Sequence, residues 1–202
     1  MKKVIVALFL LLLLAACGSQ PDNTEEADEN APNDTNENAN SDTEITNAAI
    51  VYYSLTENTE EVAEEIQVQT EADLEKLEPV EPYPRAYSEV AGLVREQQEA
   101  GEFPELQDLD LNIEEYDTIF VGSPTWHGYI SQPVQKWLMD TELADKNIIP
   151  FFTSGSQPIE DPQSDLRELL PEATITEELS MANSPRDDIE EEVSQWIENM
   201  EF

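Results

Sequence analysis

Residues 48–59 read AAIVYYSLTENT, and this stretch decides the fold class. Its first six residues form a continuous apolar run, which is typical of a strand buried on both faces of a parallel sheet. The next six residues carry mainly hydroxyl, amide and carboxylate side chains and lead into a segment of helical periodicity that starts at Asn58. A buried strand that passes through a polar turn into a helix is the opening unit of an α/β fold.

The same alternation of strand and helix continues along the chain. Buried strands are predicted at 118–121 and 147–152, where Pro150 indicates an irregular or late start, and weaker strands at 173–179 and 73–77. Amphipathic helices are predicted at 58–67, 88–100, 131–141, 162–170 and 185–200, the last with Ser184 as its N-cap and Pro185 at its first position. This order predicts a parallel sheet with helices on both faces.

Polar residues follow the first predicted strand, at the carboxyl edge of the sheet where ligands bind in open α/β folds. Ser54, Thr56, Asn58 and Thr59 place four hydroxyl or amide groups within six positions at a helix start. Such donors, together with the helix dipole, favour an anion such as phosphate. Ordinary helix capping by the same residue types is the alternative interpretation.

A ring-rich loop is predicted after the second buried strand. Residues 122–129 read GSPTWHGY, and exposed rings in such a loop indicate a flat partner that covers them. The alternative is that Trp126 only covers the edge of the sheet. After the third buried strand, the small residues Ser154 and Gly155 permit close approach to the backbone.

Taken in order, these segments resemble the flavodoxin-like family. The resemblance rests on Ser-x-Thr-x-Asn-Thr after the first strand, Gly-Ser-Pro-Thr-Trp-x-Gly after the next and Thr-Ser-Gly after the third, and it covers about 48–200. It is strongest to the short bacterial flavodoxins, in which Pro-Tyr-Pro and a further Tyr follow the second strand. Those residues are Pro82, Tyr83, Pro84 and Tyr87 in this chain.

The resemblance implies a three-layer α/β sandwich with a five-stranded parallel sheet in the order 2-1-3-4-5. It also implies noncovalently bound FMN that passes electrons. Carried over by position, the phosphate would be held by Ser54, Thr56, Asn58 and Thr59. The isoalloxazine would be lined by Ser123, Pro124, Thr125, Trp126, His127 and Gly128, with Ser154 and Gly155 along its other side. The family cradles the phosphate with neutral donors, which agrees with the lack of Lys or Arg near residue 54.

Glu57 departs from the family pattern, which has glycine at this position. At about 8 Å and an effective dielectric of about 40, one carboxylate repels each phosphate charge by about 1 kcal/mol, so FMN binding would weaken by about thirtyfold. Glu60 and Glu61 lie in the same first turn. Because salt screens such repulsion, the sequence predicts that FMN affinity rises with ionic strength.

The N-terminus is predicted to be a lipoprotein signal peptide. Lys2 and Lys3 precede an apolar run at 4–16 that is too short to span a bilayer, and the run ends at Cys17 in a sequence that resembles a lipobox. A plain cleaved signal peptide is the alternative. The predicted organisation is a signal at 1–16, a lipidated Cys17 with an acidic, disordered linker at 17–46, and a folded domain at 47–202. The protein is expected at the outer face of the cell membrane, held by acyl chains.

Charge and composition exclude several function classes. Nine basic against 46 acidic residues give a formal net charge of −37, which excludes unaided binding to nucleic acid or anionic lipid. One cysteine excludes an internal disulfide framework, and one cysteine with one histidine cannot build a cysteine- or histidine-rich metal site, so no metal is expected. No catalytic pair stands out among the many carboxylates.

The leading functional prediction is an FMN-binding, lipid-anchored electron-transfer protein that serves an unidentified redox partner or small acceptor. A binding or structural module that has lost FMN is the first alternative, and Glu57 is the residue that motivates it. An NAD(P)H-dependent FMN or quinone reductase is the second. His127 is predicted to be a loop contact, with proton relay to the flavin as the other interpretation.

Overall fold

The computed structural model describes residue 45 and residues 47–155, 163–182 and 188–200. The predicted signal peptide, Cys17 and linker lie outside the described residues, so their assignment stays a prediction. No helix in the described part of the chain is both long enough and apolar enough to cross a membrane.

Strands and helices alternate as the sequence predicts. The strands are β1 (Ala48–Tyr52), β2 (Asp73–Lys76), β3 (Thr118–Trp126), β4 (Tyr129–Ile130), β5 (Asn147–Ser154), β6 (Thr174–Ile175) and β7 (Leu179–Ala182). The helices are α1 (Asn58–Thr70), α2 (Tyr87–Ala100), α3 (Gln132–Asp140), α4 (Gln163–Leu169) and α5 (Ile189–Glu198), with a 3-10 turn at Ile113–Glu115.

The strands form one mixed sheet with a parallel core. Its main path runs β2-β1-β3-β5-β6, and all of these neighbours are parallel. The short β4 pairs antiparallel with β3, and β7 pairs parallel with β5. The predicted α/β class and the order of the main strands are confirmed, but the sheet has seven strands rather than five.

The extra strand at the β5 edge has a physical cause at Pro150. β6 pairs with β5 as far as Ile148, and β7 begins its pairing at Phe151. Pro150 lies at the break between them and has no N–H to donate to a neighbouring strand. The predicted fourth strand at 173–179 is therefore two short strands, whereas β5 itself runs through Pro150 without interruption.

Two apolar cores lie on opposite faces of the sheet. Alternate residues of β1 point to opposite sides, so Ala49 and Val51 belong to one core and Ile50 and Tyr52 to the other. The first core also contains residues of α2, α3 and α4, including Val94, Val134, Trp137, Leu138 and Leu166. The second contains residues of α1 and α5, including Val62, Ala63, Ile66 and Val193. This arrangement is the expected three-layer sandwich.

Several element boundaries differ from the prediction. α1 continues to Thr70, where Glu71 ends it in a left-handed conformation with its N–H bonded to the Gln67 carbonyl. α5 begins at Ile189 rather than 185, and the predicted cap at Ser184 and Pro185 lies outside the described residues. The larger difference is at β3, which extends to Trp126.

Candidate functional site

The carboxyl ends of β1, β3 and β5 lie side by side. Gly122 of β3 is in register with Tyr52 of β1 and Phe151 of β5. The Tyr53 N–H donates to the Gly122 carbonyl at 3.1 Å, which continues this pairing beyond the end of β1. The three segments that the sequence singles out therefore leave the sheet from neighbouring strands, as expected at a ligand-binding edge.

Ser54, the first residue of the polar turn after β1, is buried with only 8% of its surface exposed. Its Oγ has no hydrogen-bond partner within the described chain. A buried hydroxyl without a partner costs about 1–3 kcal/mol. Such a group is well suited to meet a ligand atom, because a ligand would supply the missing hydrogen bond.

Glu57 precedes α1 in a left-handed backbone conformation, with φ 69°. Its carbonyl accepts the Glu61 N–H at 2.9 Å, but no side-chain hydrogen bond caps the helix. Ordinary capping, the alternative interpretation of this turn, is therefore not what the structure contains. The first-turn N–H groups lack a capping side chain, with Thr56 exposed and Asn58 half-buried beside them.

Thr59 connects this turn to β5. Its side chain is buried, and its Oγ1 lies 2.8 Å from the Oγ1 of Thr153. The Thr153 carbonyl in turn accepts a hydrogen bond from the Thr125 hydroxyl at 3.3 Å. The structure thus brings residues from all three predicted segments together. Sequence reasoning missed Thr153 as a site residue, because it considered only that the residues of this segment are small.

The predicted loop at 122–129 is wrong in form, because β3 and β4 make a tight hairpin there. Trp126 pairs with Tyr129, so only His127 and Gly128 form the turn. Both have positive φ, 53° and 88°, which is the signature of a type I′ turn. His127 and Gly128 are exposed at its tip. The Gly, Pro and aromatic residues of this segment predicted a loop, but the pairing of β3 with β4 places them in a hairpin.

Ser123 lies inside the protein. Its side chain is fully buried, and its Oγ accepts the Ser131 N–H at 3.0 Å and lies 3.0 Å from the Ser131 Oγ. It also donates to the Pro124 carbonyl at 2.9 Å. These bonds join the hairpin to the start of α3. The Ser123 hydroxyl is therefore already bonded within the protein. Its bonds hold the half-buried Pro124 and Thr125 in position.

Three aromatic rings meet beside the hairpin. Trp126 packs edge to face on Tyr53 and Tyr83, with ring centroids 5.5 Å and 5.1 Å away. Burial raises the pKa of Tyr83 to about 12, although its hydrogen bond to Gln97 opposes part of that rise. Burial and the neighbouring Tyr83 raise the pKa of Tyr53 as well. Both phenols are neutral near pH 7, so the cluster offers uncharged ring surface.

Sequence reasoning missed Tyr53 as a member of this cluster and noted Tyr83 only as part of a motif. The alternation of buried residues in β1 could not reveal the contact, because Tyr53 lies past the end of the strand.

At the end of β5, Ser154 is half-buried and Gly155 exposed. Among the described residues, no group of three or more His, Cys, Asp or Glu side chains is placed to hold a metal.

Charge near the start of α1 is not only negative. Glu60, in the first turn, forms an ion pair with Lys76 of β2, with 2.7 Å between Oε2 and Nζ. The Tyr52 hydroxyl donates to the other carboxylate oxygen of Glu60 at 3.2 Å. Burial, followed by the charge of Glu60, raises the pKa of Tyr52, so that this hydroxyl keeps its proton. No local sequence pattern indicates this pairing.

Comparison with known proteins assigns the family. The sequence model of the Flavodoxin family matches residues 47–200. The chain belongs to the flavodoxin family. The family resemblance predicted from the three segments is confirmed. No curated protein matches this chain.

Solved structures agree with this assignment. A flavoprotein in complex with FMN from Lactobacillus acidophilus NCFM is 26% identical to this chain, with a TM-score of 0.59. The match covers 74% of this chain and 97% of that chain. Structures from Bacteroides uniformis ATCC 8492 and Bacteroides eggerthii DSM 20697 are 21% and 22% identical, with TM-scores of 0.62 and 0.63. Each match covers 75% of this chain, and 97% and 95% of theirs, and supports the fold.

Proposed function

We propose that this flavodoxin-family chain binds FMN at the carboxyl edge of its sheet and transfers electrons outside the cytoplasmic membrane. The observation that carries the proposal is the buried, unpartnered hydroxyl of Ser54 beside the start of α1, where no side chain caps the helix. Both features supply donors for a phosphate. The family and the FMN complex of the Lactobacillus acidophilus relative support FMN as the ligand.

The residues present fit FMN with one departure. Ser54, Thr56, Asn58 and the first-turn amides of α1 would hold the phosphate. The ring system would lie along the hairpin, from Pro124 to Gly128, and along Ser154 and Gly155. Bound FMN supplies one- and two-electron transfer, while the protein supplies position and electrostatics. The departure is Glu57, whose carboxylate repels the phosphate but is exposed and therefore open to screening.

Equilibrium titration of the apoprotein with FMN tests the proposal. FMN fluorescence should be quenched on binding, and yellow absorbance should survive desalting in concentrated salt. Ser54→Ala should weaken FMN binding by about tenfold, because a hydrogen bond to a charged group contributes about 1.5 kcal/mol or more. The same change should leave the free energy of unfolding of the apoprotein equal or slightly higher, because it removes an unpaired buried hydroxyl.

Ser194→Ala is the matched control. The Ser194 hydroxyl bonds to Gln69 near the carboxyl end of α1, away from the phosphate turn, so its loss should leave FMN affinity unchanged. No binding by the wild-type protein at any salt concentration would support the alternative of a module without flavin. Oxidation of NADH or NADPH by the FMN-loaded protein would support the reductase alternative.

The extracytoplasmic location and lipid anchor are proposed from the sequence around Cys17. The full chain expressed in a bacterial host should partition into the detergent-rich phase of a phase-separation assay, since acyl chains add hydrocarbon that the acidic domain lacks. Cys17→Ser should move the protein to the aqueous phase. Equal partitioning of the two proteins would contradict the anchor.

A further inference from the structure

An ion pair joins the first turn of α1 to the end of β2. Lys76, the last residue of β2, lies with Nζ 2.7 Å from Oε2 of Glu60, and the Tyr52 hydroxyl holds the other carboxylate oxygen. Both side chains are partly exposed, at 33% for Lys76 and 26% for Glu60. The pair therefore sits at the surface of the phosphate turn, where solvent and salt reach it.

Glu60 is close to the proposed phosphate because of its position in the helix. Glu57 is the N-cap, so Glu60 is the third helical residue and its own N–H is among the donors that the helix leaves open. A negative side chain at this position stabilises the helix but repels a second anion. Lys76 removes most of that repulsion, since its ammonium is in direct contact with the carboxylate.

The surroundings make this cation important. Burial, and after it the charges of Glu60, Glu64 and Glu78, raise the pKa of the Tyr52 hydroxyl, so several acidic groups act on this corner of the sheet. Lys76 is the cation that the structure places among them. Without it, the phosphate would face Glu57 and an unneutralised Glu60 together.

We propose that Lys76 sets the affinity of the phosphate site by neutralising Glu60, which lets the acidic turn accept a dianion. This inference deepens the proposed function and rests on it. Lys76 acts through Glu60 rather than by contact with the phosphate. The turn then contains neutral hydrogen-bond donors, a Glu60 carboxylate whose charge is neutralised by Lys76, and a Glu57 carboxylate without such a neutralising partner in the proposal.

A double-mutant cycle that removes each charge in turn tests the proposal through FMN dissociation constants at low salt. Lys76→Gln should weaken FMN binding by about three- to fivefold, as expected for one charge acting on a dianion at about 10 Å with partial screening. Glu60→Gln should strengthen binding by a similar factor, because Lys76 is then unpaired. The double variant should return close to the wild-type affinity. At about 1 M salt the four proteins should converge.

Lys136→Gln is the matched control. Lys136 pairs with Asp140 within α3, which packs on the opposite face of the sheet from α1. Its loss changes the net charge of the protein equally and should leave FMN affinity within about twofold of wild type. Thermal unfolding of each apoprotein reports separately on stability, so a folding defect is not mistaken for weaker binding.

The outcomes separate the two proposals. Wild-type binding with an unchanged Lys76→Gln affinity would overturn this inference and leave the proposed function intact. Weaker binding in both single variants would indicate a structural role for the ion pair and would also overturn it. No binding by the wild-type protein at any salt concentration would overturn both.

Discussion

Glu57 is unfavourable in two ways, through its backbone conformation and through its charge. The left-handed conformation at φ 69° suits glycine, and a side chain with a Cβ adopts it at a cost of about 1 kcal/mol. The carboxylate adds repulsion toward a phosphate at the start of α1. The two effects are independent, because one acts on the free protein and the other only when the anion is bound.

Substitutions at Glu57 should separate these effects. Glu57→Gln removes the charge alone and should tighten FMN binding by about thirtyfold at low salt, with the free energy of unfolding changed by less than about 0.5 kcal/mol. Glu57→Gly should give the same gain in affinity and also stabilise the apoprotein by about 0.5–1 kcal/mol. Fluorescence titration and urea denaturation measure the two quantities. If neither variant binds FMN more tightly than wild type, Glu57 does not face the phosphate.

Close packing of three strands depends on a residue without a side chain. A Cβ on Gly122 of β3 would lie 2.1 Å from Cζ of Phe151 on β5 and 2.8 Å from the Cβ of Tyr52 on β1. Contacts of this length require the backbone or a buried ring to move. The absence of a side chain at Gly122 therefore leaves room for the buried Phe151 ring directly below the candidate site.

Gly122→Ala should destabilise the protein by about 1–3 kcal/mol, the usual range for overpacking a filled core. Urea denaturation of the apoprotein measures the change. Gly92→Ala is the control, because a Cβ there meets nothing within 4 Å and Gly92 lies inside α2. That substitution should stabilise the helix by about 0.5–1 kcal/mol. If Gly122→Ala does not lower the free energy of unfolding, the strands around Gly122 have room to shift.

Elements could be predicted where a local pattern determines them. The apolar runs of β1, β3 and β5 specify buried strands by composition alone, and polar turns mark where they end. The hairpin at His127 and Gly128 was missed because Gly, Pro and aromatic residues at 122–129 indicated a loop, whereas the pairing of Trp126 with Tyr129 makes a hairpin there. The expectation that Pro150 makes the start of this strand irregular or late was wrong, because β5 begins at Asn147 and runs through Pro150. The break falls instead between the neighbouring strands β6 and β7.

Contacts between distant elements could not be predicted from the sequence. Thr59 and Thr153 are 94 residues apart, and nothing local to either segment indicates their hydrogen bond. The same holds for Lys76 with Glu60, which meet because β2 lies beside β1 at the edge of the sheet. The donor residues of a site can thus be inferred from motifs, whereas their partners depend on strand order.

The whole molecule carries a net charge of −37, so its parts repel one another more in the compact state than in the unfolded chain. Lys76 and Lys136 each neutralise one nearby carboxylate, a small correction against 46 acidic residues. Screening by salt relieves the repulsion that remains. Both folding and the capture of an anion should therefore improve together as ionic strength rises.

The expected result is tighter FMN binding and a higher apoprotein unfolding midpoint between about 50 mM and 1 M sodium chloride. Over this range the screening length falls from above about 10 Å to about 3 Å, so repulsion from Glu57 at about 8 Å is largely lost. FMN dissociation constants and thermal unfolding at each salt concentration measure the two effects. Glu57→Gln should flatten the salt dependence of binding while leaving that of unfolding almost unchanged, since it removes one charge of many. Weaker FMN binding at high salt would instead mean that attraction by cationic groups dominates the site. That result would contradict the idea that the carboxylates of the turn limit FMN binding.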